Sequence, residues 1–446
     1  MSIYSALRAG VSGLAAQSSA LAVVSDNIAN VNTTAYKRAL TSFAPLVNGQ
    51  NQLTTYNAGG VVSQTRRLVE VEGSLEQSRS PIDMAIEGNG FFVVSRVPSQ
   101  LVEGGDMLFT RSGSFQIDAQ GNLVNAEGFF LHGWPVAADG TVDPSPSSLS
   151  VLRPVNIGGV GGVAEPTETI TINGNLQANQ AVYAGPPAYS AGSLSAPGGI
   201  SKHFETTVEG FDSLGSARTM NVRFLKTAPN QWAFEVAANP AAAVNLVAHP
   251  NGLLASGYLN FNADGTVGSI TNLPASNPAA IPFAPFAVDW ADATGASNQT
   301  ITLDMAKGVS QFAIPFGVSS VTSDGVPPGE LLGLQLEGAG LLTAQFSNGR
   351  TRALYQLPLA TFRTANNLEA AEGGTYRTTL GSGPYSINAM NSGGAGKIKS
   401  GVLEASNVDL ATEFTTLITT QRAYSASARI ITTSDQMLEE LIAIKR

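Results

Sequence analysis

The sequence predicts a mixed fold: an α-helical coiled-coil stem from paired N- and C-terminal helices, plus two nested, mostly-β domains. Three observations carry this prediction. Apolar residues recur at three- and four-residue steps at both extreme ends of the chain. The interior breaks into short apolar runs bounded by Gly and Pro, and strand signals resume after a long β-rich insertion. The resulting boundaries are 1–30 and 405–446 for a terminal helical core and 31–70 for a linker. An inner β-domain takes 71–155 and 323–404, and an inserted outer β-domain takes 156–322.

The first helix, Met1 to about Ala29, follows from the stripe Ile3, Leu7, Val11, Leu14, Ser18, Leu21, Ser25 and Ile28. Asn30-Val31-Asn32-Thr33-Thr34 ends it, because Asn and Thr favour turns and caps. From Ala39 to Leu68 the periodicity is weak, and Asn48-Gly49-Gln50-Asn51-Gln52 suggests a semi-extended linker. At the other end, Leu410, Phe414, Leu417, Gln421, Tyr424, Ala428, Ile431, Asp435, Leu438 and Ile442 alternate steps of four and three, the a/d seam of a coiled coil. At 1.5 Å per residue this helix is a rod roughly 50 Å long. Ser406 or Asn407 can cap it, and Lys445-Arg446 suits the negative end of its dipole. Two unrelated surface helices could carry the same stripes; their position at both chain ends favours pairing.

Between the helices, strands are predicted from Leu68 onward. Ile82–Ile86, Gly90–Val94, Leu108–Asp118, Leu123-Val124 and Gly128–Leu131 alternate with turns such as Asp118–Asn122. Pro144, Pro146, Pro154 and the glycines of 158–162 mark a boundary. The second β-rich region runs to about Ser323, with a tight turn at Asp264-Gly265 and a loop at Ala237–Ala243. Strands return from Leu331 to Phe362, and Gly381–Lys399, rich in Gly and Ser, leads back to the last helix.

Composition narrows the function. With a net charge of −9, the chain is a poor fit to nucleic acid or an anionic membrane. It has no cysteine, which excludes disulfides, thiolate metal sites and cysteine nucleophiles. No uninterrupted apolar run approaches the ~20 residues of a spanning helix, so no membrane insertion is expected. Arg8, Gln17, Ser18 and Ser19 interrupt any secretory-signal pattern, so export is expected to use no cleaved signal.

Motifs of chemistry are weak. His132, His203 and His249 stand alone and read as surface or turn residues rather than metal ligands. Gly159–Ala164 loosely matches a dinucleotide loop, but Pro166 follows where a helix should open. Asp139–Asp143 lacks the flanking helices and distal Glu of a calcium loop. No catalytic residue, cofactor or metal is predicted. The ends are more informative. Thr412, Thr415, Thr416, Thr419, Thr420, Thr432 and Thr433, at about 0.6 kcal/mol each relative to Ala, together weaken the second helix by roughly 4 kcal/mol. The termini are therefore expected to fold on polymerisation rather than in the monomer, the alternative being a stable intramolecular hairpin.

Ser25–Lys37 (SDNIANVNTTAYK), Ile86–Val94, Phe109–Phe115, Gly401–Leu410 and Gln421-Arg422-Ala423-Tyr424 together resemble the rod/hook axial proteins of the bacterial flagellum. Ala35 departs from that family, where Gly is common. The resemblance assigns family-motif positions to Asn27, Asn30, Asn32, Thr33, Tyr36, Lys37, Ser406, Asn407, Asp409, Gln421 and Arg422. The insertion at 156–322, with Phe211–Gly215 and Met220–Phe224, is similar to that of hook-type members, whereas rod members are shorter. It implies a structural subunit of an extracellular, many-copy tube, exported by the flagellar type III apparatus. Its implied partners are further copies, a distal rod protein, a hook cap and a hook–filament junction protein. A distal rod or junction protein, or a secreted adhesin with a carbohydrate-binding β-domain, are the other readings. The assembly interface is expected on Ile3, Leu7, Val11, Leu14, Leu21, Ile28, Leu410, Phe414, Leu417, Tyr424, Ile431, Leu438 and Ile442. Leu417→Asp or Ile431→Asp should leave the β-domains folded yet abolish tubes seen by electron microscopy, because each puts a charge into a dry seam.

Overall fold

The computed structural model describes residues 3–46, 59–99, 107–137, 140–142, 151–272, 278–279, 285–338 and 340–444. The polar stretch Asn48–Gln52, the prolines 144 and 146, Asp139 and the terminal Lys445-Arg446 lie outside the described residues. The chain is mostly β, bracketed by helix α1 (Ile3–Ala29) and helix α2 (Leu410–Ile444). It divides into two compact units, one of Met1–Val160, Gly333–Gln345 and Thr351–Arg446, the other of Gly161–Leu332 and Phe346–Arg350. Both helices thus belong to the same unit as the inner β-strands rather than standing apart as a core of their own.

The helices run antiparallel and meet on their smallest residues. Gly10, Ala16, Ala20 and Val24 are buried on α1; Glu413, Thr420 and Ser434 are buried on α2, with Ser427 half-buried between them. A methyl group added at Gly10 would lie 3.1 Å from Ile431 Cγ1, and one at Gly13 would lie 3.2 Å from Ser427 Oγ. This corrects the predicted seam. Leu417, Ile431 and Leu438 are half-buried along its flank, as are Leu7, Leu14, Leu21 and Ile28. Val11, Leu410, Phe414, Tyr424 and Ile442 are exposed. The side chain of Ile3 lies outside the described ones. Counting large apolar residues located a stripe, but Gly, Ala and Ser permit the closest backbone approach, so the contact falls about one residue away from it.

Two further corrections concern helix chemistry. The cap of α2 is Asp409, not Ser406 or Asn407: its Oδ1 accepts the Ala411 N–H at 2.9 Å and its Oδ2 the Thr412 hydroxyl at 3.0 Å. The interior threonines fold back on their own helix, Thr415 and Thr416 donating to the Ala411 and Thr412 carbonyls at 2.8 Å. By length and composition alone, Tyr4–Ala29 (mean hydropathy 1.2) could cross a membrane. Its Ala- and Gly-rich composition leaves Arg8 and Asp26 as its only charges.

The predicted linker is in part a hairpin. Strands β1 (Ala39–Pro45) and β2 (Val61–Arg67) pair antiparallel from Ala39 opposite Arg67 to Pro45 opposite Val61. Most of its residues are half-buried or exposed, so no clean alternation of polarity announced it. Strands β3 (Leu75–Gln77) and β4 (Met84–Glu87) pair with Val402–Glu404 and Lys397–Ser400, closing the first unit with residues from both ends of the chain. Strand β5 (Phe92–Ser95) lies between β6 (Met107–Thr110) and β9 (Phe130–Pro135), while β7 (Phe115–Ile117) pairs with β8 (Leu123–Asn125). The predicted continuous strand Leu108–Asp118 breaks at Arg111–Ser114, where the Gly113 carbonyl accepts the Met84 N–H at 2.9 Å. A Cβ at Gly113 would collide with the Met84 carbonyl oxygen. Val69, Phe91, Val93, Phe109, Trp134, Leu152 and Tyr376 form the core here.

In the second unit, an antiparallel sheet runs in chain order from Phe204–Phe211 through Ala217–Ala228, Gln231–Asn239, Leu253–Phe261 and Val267–Asn272 to Pro278–Ala279. A further sheet centres on Thr169–Asn175, which pairs parallel with Gln299–Asp304 and antiparallel with Gly317–Ser323. One core joins them, including Ile170, Val222, Phe224, Trp232, Phe234, Leu259, Ile270 and Leu303. The predicted loop Ala237–Ala243 is strand as far as Asn239, with Ala237 and Ala238 buried in the sheet, and then a short 3₁₀ turn at Ala241–Ala243.

Candidate functional site

The family-motif residues gather where both helices join the first unit. Asn27 is buried on the last turn of α1 and grips one residue twice, donating to the Ala39 carbonyl at 2.8 Å and accepting the Ala39 N–H at 2.9 Å. Tyr36 donates its hydroxyl to Asp26 Oδ2 at 2.9 Å, under the Arg67 guanidinium. Asn30 Nδ2 bonds the Asp26 carbonyl at 2.9 Å, and Thr33 donates to Asn30 Oδ1 at 3.1 Å. The turn that follows passes through Ala35 at φ 56°, a left-handed conformation in which glycine carries no Cβ penalty. The Ala35 N–H donates to the Glu404 carbonyl at 2.8 Å.

Beyond this turn lies a buried charge cluster. Lys37 Nζ donates at 2.6 Å both to Glu404 Oε1 and to the Val71 carbonyl. Glu404 Oε1 also accepts the Gly73 N–H at 2.9 Å, and Arg111 Nη1 stands 3.6 Å from its Oε2. All three charged side chains are at most 2% exposed. Burial pushes the Lys37 ammonium below its ordinary range, against the attraction of Glu404, which holds the proton on. A buried pair of this kind adds little net stability, but removing one partner strands the other. Its effect is to fix the register of two segments far apart in sequence.

Asn407 makes the second brace. Its Oδ1 accepts the Arg38 N–H at 2.6 Å, and its Nδ2 donates to the Leu68 and Val71 carbonyls at 3.2 and 3.0 Å. Arg38 in turn forms an ion pair with buried Glu413 on the first turn of α2. Ser406 accepts the Val408 N–H at 3.4 Å, a local turn bond. Asn32 is exposed, and Gln421 and Arg422 lie on the exposed face of α2, so the structure does not bring these three into the junction. Glu404, Arg111, Arg38 and Glu413 were missed as site residues. The available signal was Lys37: a cation inside a helix-terminating motif, facing inward, requires a carboxylate elsewhere.

None of the histidines is exposed, although His203 and His249 do lie in bends between elements. His132 and His249 are buried and His203 is half-buried. His132 bridges the Phe130 and Ser99 carbonyls, while His249 spans the Leu253 carbonyl and the Asp289 N–H. Burial holds His132 below the usual imidazole range. Among the described residues no three His, Cys, Asp or Glu side chains gather as metal ligands would.

Comparison with known proteins places this geometry. Residues 7–37 match the family described as Flagella basal body rod protein, and 399–444 the Flagellar basal body rod FlgEFG protein C-terminal family. Residues 85–180 match the Flagellar hook protein FlgE/F/G D1 domain, and 175–326 the Flagellar basal body protein FlaE D2 domain. These define an axial protein of the flagellar rod-and-hook class. The chain is 34% identical to the flagellar hook protein FlgE of Caulobacter vibrioides and 33% identical to that of Rhizobium meliloti, in both cases over all of each chain. It is 30% identical to the FlgE of Salmonella typhimurium over 98% of each. The chain belongs to the flagellar hook protein family, whose members are structural subunits of the bacterial flagellar hook.

Two outcomes test the junction. Glu404→Gln should cost about 3–5 kcal/mol in chemical denaturation, because Lys37 and Arg111 lose their shared carboxylate. Burial, and then the bond to Asp26, raise the Tyr36 phenol from 10.0 to about 12. A raised folded value stabilises the protein below pH 10, and that contribution is lost as pH climbs from 10 towards 12. Tyr36→Phe should therefore flatten the alkaline fall in stability across that window; an unchanged pH profile would contradict it.

Proposed function

We propose that the subunit polymerises through its terminal helices into a flexible, curved tube acting as a universal joint, transmitting motor torque to the filament. It leaves the cell through the flagellar type III apparatus without a cleaved signal. It adds beneath a hook cap, in a structure bounded by the distal rod protein and the hook–filament junction protein. The helices form the coiled-coil stem of the inner tube, and the β-domains form the layers outside it.

The observation that carries this reading is the outer face of α2. Leu410, Phe414, Tyr424 and Ile442 share one exposed flank of α2, with Ile418 beside it, although the seam with α1 is already made. At ~25 cal/mol per Å² of apolar surface, leaving such a face in water is costly, and neighbouring copies would cover it. The exposed apolar residues of the predicted stripe are then intersubunit contacts, while the small residues, flanked by half-buried ones such as Ile431, pair the two helices within a subunit. Low charge outside the helices suits surfaces that slide past one another as the tube turns.

Tubes formed by the purified full-length chain, imaged by electron microscopy, test the proposal. Phe414→Asp should prevent them while leaving the β-sheet circular dichroism of the monomer intact.

A further inference from the structure

A cavity of about 570 Å³ opens in the first unit beside the charge cluster, with Arg111, Arg363, Glu70, Asn89, Phe91 and Phe362 in its walls. Arg111 is its unusual member. Its side chain is 2% exposed, and its guanidinium sits 5.4 Å from the centre of the Phe91 ring. Nη2 donates to the Gly88 carbonyl at 2.8 Å and Nη1 faces Glu404, but Nε has no acceptor among the described protein atoms. The charge balance points the same way. Lys37 and Arg111 are both buried and share the single buried carboxylate of Glu404; Glu72, which also acts on Lys37, is exposed. At the cavity itself, exposed Arg363 and exposed Glu70 offset one another, leaving the excess positive charge with Arg111.

We propose that this cavity is a carboxylate-binding site, and that in the hook it receives an acidic side chain from a second copy of the chain. A carboxylate in the cavity would pair with exposed Arg363 and stand against the Arg111 guanidinium, accepting from its unpartnered Nε after a shift of that closed-off side chain, and so neutralise the excess cation. Aromatic walls at Phe91 and Phe362 suit the methylenes of a Glu or Asp side chain better than a hydrated inorganic anion. The volume exceeds what one carboxylate fills, so the tip of a loop can enter. With 33 acidic residues against 24 basic, another copy supplies the complementary charge. The choice of a second copy rests on the homopolymeric reading above; the carboxylate site itself does not.

The test begins with calorimetric titration of the full-length chain with glutarate, against chloride at matched ionic strength. Saturable binding is expected, weakened about tenfold by Arg363→Gln and by Arg111→Lys, the loss of one charge-assisted hydrogen bond. Arg111→Lys keeps the buried charge, so it separates the site from the folding role of the cluster. No saturable binding, or variants that bind as the wild type does, would overturn the site. In the second arm, glutarate should slow tube growth beyond its salt effect, and Arg363→Gln should remove that sensitivity. Growth unaffected by saturating glutarate would overturn the second-copy occupant. Failure of the wild-type chain to form any tube would overturn that occupant and the polymer reading together, with calorimetry still deciding the site.

Discussion

The contact between Lys37 and Glu404 is the constraint from which the rest of the first unit follows. Each would be expensive to bury alone, so the two segments that carry them must meet, and meeting aligns everything around them. Val402–Glu404 is brought beside β3, the turn at Ala35 is tied to the Glu404 carbonyl, and Asn407 reaches the backbone at Arg38, Leu68 and Val71. Helix α1 ends and helix α2 begins at this point. Their direction is set by a handful of polar bonds at the base, not by a deep apolar core between them.

That arrangement gives the helices two unlike faces with separate uses. Glycine, alanine and serine settle the contact within the subunit, because they let the helices approach closely. The bulky residues, Phe414 and Ile418 among them, remain outside. A protein built to finish as a monomer would reverse these roles. For a hook subunit the division is economical in design terms: the intramolecular contact orients the helices, and the exposed apolar residues are left free for the intersubunit contacts proposed above.

Much of the fold was legible from the sequence because its signals are local. The three- and four-residue steps located both helices, and Gly and Pro marked the short strands. The β1–β2 hairpin escaped because much of it is exposed, which erases the alternation that announces a strand. The helix seam was misplaced by about a residue because a search for large apolar side chains passes over Gly10 and Gly13. The motif residues Asn27, Tyr36 and Asn407 are singled out through resemblance, while Glu404 and Arg111, inside the same motifs Gly401–Leu410 and Phe109–Phe115, are given no role there. Glu404 and Arg111 are charged residues in strand-rich stretches, and only three-dimensional proximity shows that they answer Lys37.

The junction also dictates a timetable. Glu404 lies 367 residues after the lysine it meets, and closing so long a loop must come late among folding events. A chain emerging N-terminus first therefore leaves Lys37 without its carboxylate until nearly all of the polypeptide has appeared, while Asn27, Ala39 and the β1–β2 hairpin can meet early. The order of the residues themselves thus delays burial of that lysine until the trailing end is present.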